Sequence, residues 1–153
     1  MVQWILQGKY WPNSYMRKIL CSACLLGINC KYDGGNNANQ KVLDLAKKET
    51  LVPVCPEQLG GMSTPRSRAC RKGNLVIDET GKNTTAAYIK GAEETLRIAQ
   101  TLNIKEAILK QKSPSCGCGK IHADFKETII PGDGVTAKLL KKNGIKVVSE
   151  EKL

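Results

Sequence analysis

The sequence predicts an α/β domain, single and Rossmann-like, with three α/β/α layers around a mostly parallel sheet. Short apolar runs alternate with stretches whose apolar residues recur at helical spacing. The 153 residues, 41% hydrophobic and 25% charged, suit one domain with one buried core. Three cysteines that are distant in sequence each follow a predicted strand, which puts them at one edge of such a sheet.

Residues 1–16 stand apart. They hold both tryptophans, Trp4 and Trp11, and two of the four tyrosines, but show no sustained period. They are expected to form an N-terminal extension without chemistry, and the domain is expected to occupy 17–153.

Lys18 to Ala23 reads as a strand, Gln40 to Lys48 as a helix and Leu51 to Val54 as a strand, together one βαβ unit. Asn74 to Asp78 is a further strand-like run. After Gly81, Thr84 or Thr85 can cap a helix that carries Ala87, Tyr88, Gly91, Leu96 and Ala99 at helical spacing and ends near Asn103. Glu106 to Lys110 reads as a strand and Gln111 to about Lys120 as a loop. Gly134 to Asn143 follows as a helix ended by Gly144, and Ile145 to Ser149 as the last strand. Repeated strand–helix alternation implies parallel pairing with helices over the sheet.

Composition excludes several classes. No apolar run approaches the roughly 18 to 20 residues of a membrane span, and no basic segment leads into a long apolar one at the N-terminus. A cytoplasmic protein is expected, and in that reducing compartment seven cysteines point to metal binding or catalysis rather than structural bridges. The net charge of +10 attracts polyanions at low salt, but the bases are dispersed and aromatic residues are only 5% of the chain. That pattern predicts a solvated basic surface.

Cys24 follows the first strand, Cys55 the second, and Cys116 lies in the loop after the Glu106 to Lys110 strand. Pro56 turns the chain directly after Cys55. Cys116 sits in Ser113-Pro114-Ser115-Cys116-Gly117-Cys118-Gly119, whose glycines let backbone amides approach a ligand. Cys21 and Cys24 have the C-x-x-C spacing of thioredoxin-like redox sites, yet Cys21 falls inside the apolar strand and reads as buried. Cys70 and Cys118 read as incidental. Structural zinc draws on closely spaced ligand pairs and often histidines, whereas His122 is the sole histidine and reads as a surface residue or a lone acid–base group. Well-separated soft thiolates suit an iron–sulfur cluster.

Four segments carry a resemblance covering Lys18 to Leu153. They are Ser22-Ala23-Cys24-Leu25-Leu26-Gly27, then Cys30-Lys31-Tyr32-Asp33-Gly34-Gly35, then Val52-Pro53-Val54-Cys55-Pro56-Glu57-Gln58-Leu59-Gly60-Gly61, and Ala107-Ile108-Leu109-Lys110 running into Ser113-Pro114-Ser115-Cys116-Gly117. In that order they resemble the thiouracil desulfidase family. The resemblance implies a [4Fe–4S] cluster held by Cys24, Cys55 and Cys116 with one iron open, and Glu57 and Ser113 as catalytic groups. Substrate contacts are expected from Ser22, Cys30, Asp33 and Arg66, where Asp33 could equally form its turn and Arg66 could equally pair with a carboxylate.

The implied reaction is the non-redox desulfuration of thiouracil to uracil and hydrogen sulfide, with sulfur bound by the open iron. A small thiolated pyrimidine is the expected partner, with thiolated uridine in tRNA and a sulfide or cluster carrier as alternatives. A monomer or weak homodimer away from membranes is expected. The chain departs from the family at Ser67-Arg68-Ala69-Cys70, where prolines and a glutamate are common, and at Cys118, where serine is more usual. The additional domain of relatives that act on thiolated tRNA is not expected here, which favours a free base or nucleoside.

Overall fold

The computed structural model describes residues 16–153, so the expected extension lies, apart from Met16, outside the described residues. In chain order the elements are β1 (Lys18–Ser22), a 3-10 turn (Ala23–Leu26), α1 (Gln40–Leu45), β2 (Thr50–Val54), α2 (Pro56–Leu59), β3 (Ala69–Lys72) and β4 (Leu75–Asp78). There follow α3 (Thr85–Thr101), β5 (Glu106–Leu109), β6 (Lys120–His122), β7 (Ile129–Pro131), α4 (Val135–Lys142), β8 (Lys146–Ser149) and a short 3-10 helix (Glu150–Lys152).

Four strands form the central sheet in the order β2-β1-β5-β8, all parallel. A parallel strand is covered on both faces, so its side chains alternate between two apolar layers. Ile19, Cys21 and Ile108 pack with Val42 of α1 and Leu25 of the 3-10 turn. Leu20, Ala107, Leu109 and Val147 point the other way, into a core completed by Ala99 of α3 and by Ala137 and Leu140 of α4. These are the three layers the sequence predicts.

β2 lies on one side of β1, and β5 and β8 on the other. The winding therefore reverses between β1 and β5, and the crevice beyond their carboxyl ends is where such sheets bind ligands. Two close backbone approaches position the chain there. A Cβ on Gly91 would stand 1.8 Å from the Pro56 carbonyl oxygen, and one on Gly60 would stand 2.1 Å from that of Ala87. Only glycine lets α2 and α3 meet so closely, and that contact pins the start of α2 against the longest helix. The loop after β5 is held from its other end: the N–H groups of Val135 and Thr136, unsatisfied within α4, donate to the carbonyls of Pro114 and Ser115 at 2.9 Å each.

Three local expectations are corrected. The strand over Asn74 to Asp78 runs from Leu75 and stays outside the central sheet, pairing antiparallel with β3 across a turn at Gly73. The loop from Gln111 ends in a second hairpin, β6–β7. Both β3 and β7 are short and polar or exposed, so pairing rather than apolar pattern defines them. Thr84 occupies the N-cap of α3, but its hydroxyl donates to the Val76 carbonyl at 3.0 Å instead of accepting from the helix. Helix α1 ends at Leu45, and Gly144, at φ 78°, closes α4 as expected.

Candidate metal centre

Each of the three strand-end cysteines is held by its own local device. Cys24 lies in the 3-10 turn that leaves β1 and closes on Gly27 at φ 86°. Cys55 is the N-cap of α2, with Pro56 preset for the first helical position. Cys116 is fixed by Ser113, whose Oγ accepts from the N–H groups of Ser115 at 3.1 Å and Cys116 at 3.0 Å. Buried Gln111 braces the same loop, accepting from Cys118 N–H at 2.8 Å and donating to the Cys118 carbonyl at 2.9 Å. All three cysteines line one cavity of about 300 Å³ at the carboxyl edge of the sheet.

A fourth cysteine joins them. Cys30, only 2% exposed, lines the same cavity, and the Cys55 Sγ lies 3.8 Å from its carbonyl oxygen. Its thiol hydrogen bond is the main reason the Cys24 thiol is held down to about 7, against burial, with help from the Asn37 side chain and the Lys110 charge. The same partner brings Cys55 down to about 6, again against burial, with the Gln58 backbone and the Arg66 charge assisting. Cys30 itself is pushed far up by those two hydrogen bonds and by burial, so it keeps its proton. Cys116 is pushed up by burial, partly opposed by a hydrogen bond from Ser22.

Among the described residues, no three Cys, His, Asp or Glu side chains converge as ligands of a single metal ion must. A tetrahedral zinc site needs all its ligands at one point. A [4Fe–4S] cluster puts each thiolate on a different iron, so its ligands surround a volume. Cys24, Cys55 and Cys116 all line the one cavity, and soft thiolates from three separate segments are a donor set that suits such a cluster.

Glu57, in the first turn of α2, faces this cavity and is ion-paired through Oε2 with Arg66 Nε. Arg66 also donates to the carbonyl of Cys30 at 2.9 Å, to that of Ser63 at 3.2 Å and to the Thr64 hydroxyl at 3.1 Å. Arg66 therefore does what one of its two readings expects, pairing with a carboxylate, while also lining the cavity. Tyr88 of α3 completes the group: burial first, and the Glu57 carboxylate beside it second, push the phenol up and keep it protonated.

The remaining candidates divide. Ser22 lines the cavity but is buried, its Oγ accepting from Lys110 N–H at 2.8 Å, which ties the ends of β1 and β5 together. Asp33 is not brought to the cavity; it accepts from Gly35 N–H at 2.9 Å and pairs with Lys31 at 3.3 Å, shaping its turn. Cys21 is buried in β1 and pushed up to about 12 by desolvation, which removes it as a redox nucleophile. Cys118 lies off the cavity with its Sγ 3.5 Å from the Val147 carbonyl. Cys70, read as incidental, is a buried part of the cavity wall; His122, half-buried, lines it too, and its Nδ1 has no hydrogen-bond partner. Tyr88, Asn37 and Lys110 also line the wall, and sequence reasoning missed their part in the site. Tyr88 carried only a helical-spacing signal, indistinguishable from core packing.

A family described as 2-thiouracil desulfurase matches residues 19–152. The chain belongs to that family. Among curated relatives, an uncharacterized protein of Bacillus subtilis (strain 168), YbbK, is 41% identical over 146 residues, covering 88% of this chain and 97% of its own. Among solved structures, the [4Fe–4S]-dependent thiouracil desulfidase TudS superposes with a TM-score of 0.82 at 39% identity, covering 90% of this chain and 93% of the other. The α/β architecture and the family resemblance both hold. No helix among the described residues is long and apolar enough to cross a membrane.

Proposed function

We propose that this chain is a [4Fe–4S]-dependent desulfidase that hydrolyses a thiolated pyrimidine such as thiouracil to uracil and hydrogen sulfide. The observation that carries the reading is the convergence of Cys24, Cys55 and Cys116, from three separate strand ends, on a cavity that also receives Glu57 and Ser113. Cys24, Cys55 and Cys116 would hold the cluster. When bound, it supplies an iron free of protein ligands, a soft Lewis acid that takes a thiocarbonyl sulfur in preference to an oxygen.

Glu57 is the general base. It removes a proton from the water that adds to the carbon bearing sulfur, and returns that proton to the departing sulfur. Arg66 holds one oxygen of the carboxylate, so the base is aimed before substrate arrives. Ser113 has a different role: its Oγ already accepts two backbone N–H groups, which uses both acceptor positions of a hydroxyl. What it offers the cavity is its proton, which suits it to orient the pyrimidine or relay a proton, not to act as a base. The sum is thiouracil plus water giving uracil plus hydrogen sulfide, with no electron gained or lost.

A second form of substrate has its own support. Lys31, Arg66, Arg68, Lys110 and Lys112 line the cavity against only Glu57 and Glu127, an excess of positive charge that favours a pyrimidine carrying phosphate, up to a thiolated uridine in tRNA. Relative turnover of free base and thiolated tRNA across a salt series separates the two forms. A carrier of sulfide or cluster would use the same open iron, but would not release sulfide over many cycles. A cytoplasmic enzyme, monomeric or weakly dimeric, accords with a reduced thiol site.

The deciding experiment is anaerobic purification with iron and sulfide counting and a visible spectrum, followed by addition of 2-thiouracil while uracil and hydrogen sulfide are measured. A brown protein with roughly four irons and many turnovers is expected. A colourless preparation that reconstitution cannot rescue overturns the proposal.

A further inference from the structure

Lys110 is set apart from the other cations of the cavity by how it is held. It is the first residue beyond β5, at the carboxyl end of the strand that with β1 bounds the crevice where the winding reverses. Its backbone N–H donates to the buried Ser22 Oγ at 2.8 Å. Its Nζ donates to Glu150 Oε1 at 2.8 Å and to the Gln111 carbonyl at 3.2 Å. Lys31 and Lys112 also line the cavity, but the carboxylates they pair with, Asp33 and Glu151, are 48% and 42% exposed. Glu150 is 7% exposed.

Glu150 comes from the far end of the chain. The register of β5 and β8 sets Leu109 opposite Ser149, so the next residues, Lys110 and Glu150, leave the sheet side by side. The second oxygen of Glu150 accepts from the Gln111 N–H at 2.7 Å. One buried carboxylate therefore grips both the ammonium and the start of the loop that carries Ser113 and Cys116. An ammonium has three donors and no acceptor. Two of these go to Glu150 and Gln111, and the third has no partner among the described residues, on a side chain that lines the cavity. A lysine tied in this way is a fixed donor, not a mobile surface charge, and fixed donors are what pre-organised recognition needs.

We propose that Lys110 gives its third N–H to the carbonyl oxygen that a thiolated pyrimidine keeps, and that Glu150 is the positioning residue that aims it. Thiouracil carries one exocyclic sulfur and one exocyclic oxygen, on the two carbons that flank N3. A compact ammonium prefers the oxygen to the larger, more polarisable sulfur, so the ring is bound in one orientation. As water adds to the carbon bearing sulfur, negative charge spreads through N3 to that oxygen, where the ammonium stabilises it. The inference rests on the desulfidase reading above, and its test reads recognition of the base separately from turnover.

The experiment measures binding of 2-thiouracil and of pyrimidine-2-thione, which keeps the sulfur and lacks the oxygen. Calorimetry is done on anaerobically reconstituted holoenzyme carrying Glu57→Gln, so that the bases stay unreacted, and iron is counted on each preparation. That protein is expected to bind 2-thiouracil about tenfold more tightly than pyrimidine-2-thione, the scale of a hydrogen bond to a charged group. Adding Lys110→Met together with Glu150→Gln removes both charges and leaves neither unpaired. The ratio is then expected to fall to within about twofold of one. Glu150→Gln without the lysine change should give an intermediate ratio, because the ammonium remains but is no longer aimed. Both ligands are read on the same preparation, so the ratio decides even if a variant holds less iron. A full preference after Lys110 is replaced overturns the inference, and so does an equal weakening of both ligands, which would make the pair merely structural. A full preference in Glu150→Gln overturns the positioning role of Glu150. Absence of any preference before Lys110 is changed, in a protein whose wild type turns over 2-thiouracil, overturns this inference alone. Iron-loaded protein that binds neither base overturns the desulfidase reading and this inference with it.

Discussion

Arg66 and Glu57 form an ion pair in which the guanidinium side chain is 9% and the carboxylate 12% exposed, one on the loop before β3 and the other on the first turn of α2. Burial of both charges makes the pair an all-or-none unit: removing one partner strands the other in a poorly solvated site. The same pair joins the base proposed for the reaction to the carbonyl of Cys30, so the acid–base and sulfur sides of the cavity share one anchor.

Replacing Glu57 with Ala should reduce turnover below detection while the visible absorption of the cluster stays at the wild-type level. Steady-state assays beside spectra of the same preparation check this, and retained turnover would remove Glu57 from the mechanism.

Arg66→Ala should destabilise the fold by about 3 kcal/mol, the usual scale for breaking a buried pair. Combining it with Glu57→Gln should cost less than the sum of the two single changes, because no unpaired charge remains. Urea unfolding of the four proteins supplies the cycle.

Cys116→Ser and Cys118→Ser differ by two positions and should differ in outcome. Cys116 lines the cavity and Cys118 does not. Iron counting should show Cys116→Ser unable to keep a full cluster, whereas Cys118→Ser keeps it and turns over within about twofold of wild type, as expected of an isosteric change away from the site.

In the metal-free protein, Cys55 is brought down to about 6 and Cys24 to about 7, while burial pushes Cys21 up to about 12. A thiol with a depressed value is a thiolate above that pH and becomes protonated as pH falls through it. Alkylation should therefore mark Cys55 and Cys24 at pH 7.5 and leave Cys21 unmodified, as mass spectrometry of digested protein would show. Because cluster uptake requires thiolates, reconstitution should also fall away as pH is lowered through about 7 to about 6.

Gly91→Ala should destabilise the protein by about 3 kcal/mol, at the upper end for overpacking, because the new methyl would meet the Pro56 carbonyl oxygen at 1.8 Å. Since Pro56 sits between Cys55 and Glu57, the variant should also lose activity at temperatures where it remains folded. Thermal melts paired with assays separate the two effects.

Much of this arrangement is legible in the chain because its determinants are local. Pro56 directly after Val54-Cys55 marks a strand end, Gly144 marks a helix end, and apolar runs at Lys18, Leu51, Glu106 and Ile145 mark four strands that the fold assembles in parallel. Asp33 was equally legible as a turn former, since its carboxylate reaches a backbone amide two residues away. The two hairpins were not: Ala69 to Lys72 has no strand pattern of its own and exists as β3 only through its pairing with β4.

Sequence alone determined the α/β class and the placement of Cys24, Cys55 and Cys116 at strand ends, because strand–helix alternation and chain-breaking residues act over a few positions. Tertiary structure alone decided that Cys30 lines the cavity with Cys24 and Cys55, that Arg66 pairs with Glu57, and that Tyr88, Cys70 and His122 share the wall. Those relations join segments from different elements, and their energies depend on burial and on distances that exist only once β1, β2 and β5 lie side by side. A cysteine's proton, in particular, is set by its neighbours in space, which is why five similar thiols around one cavity end with two pushed down and three pushed up.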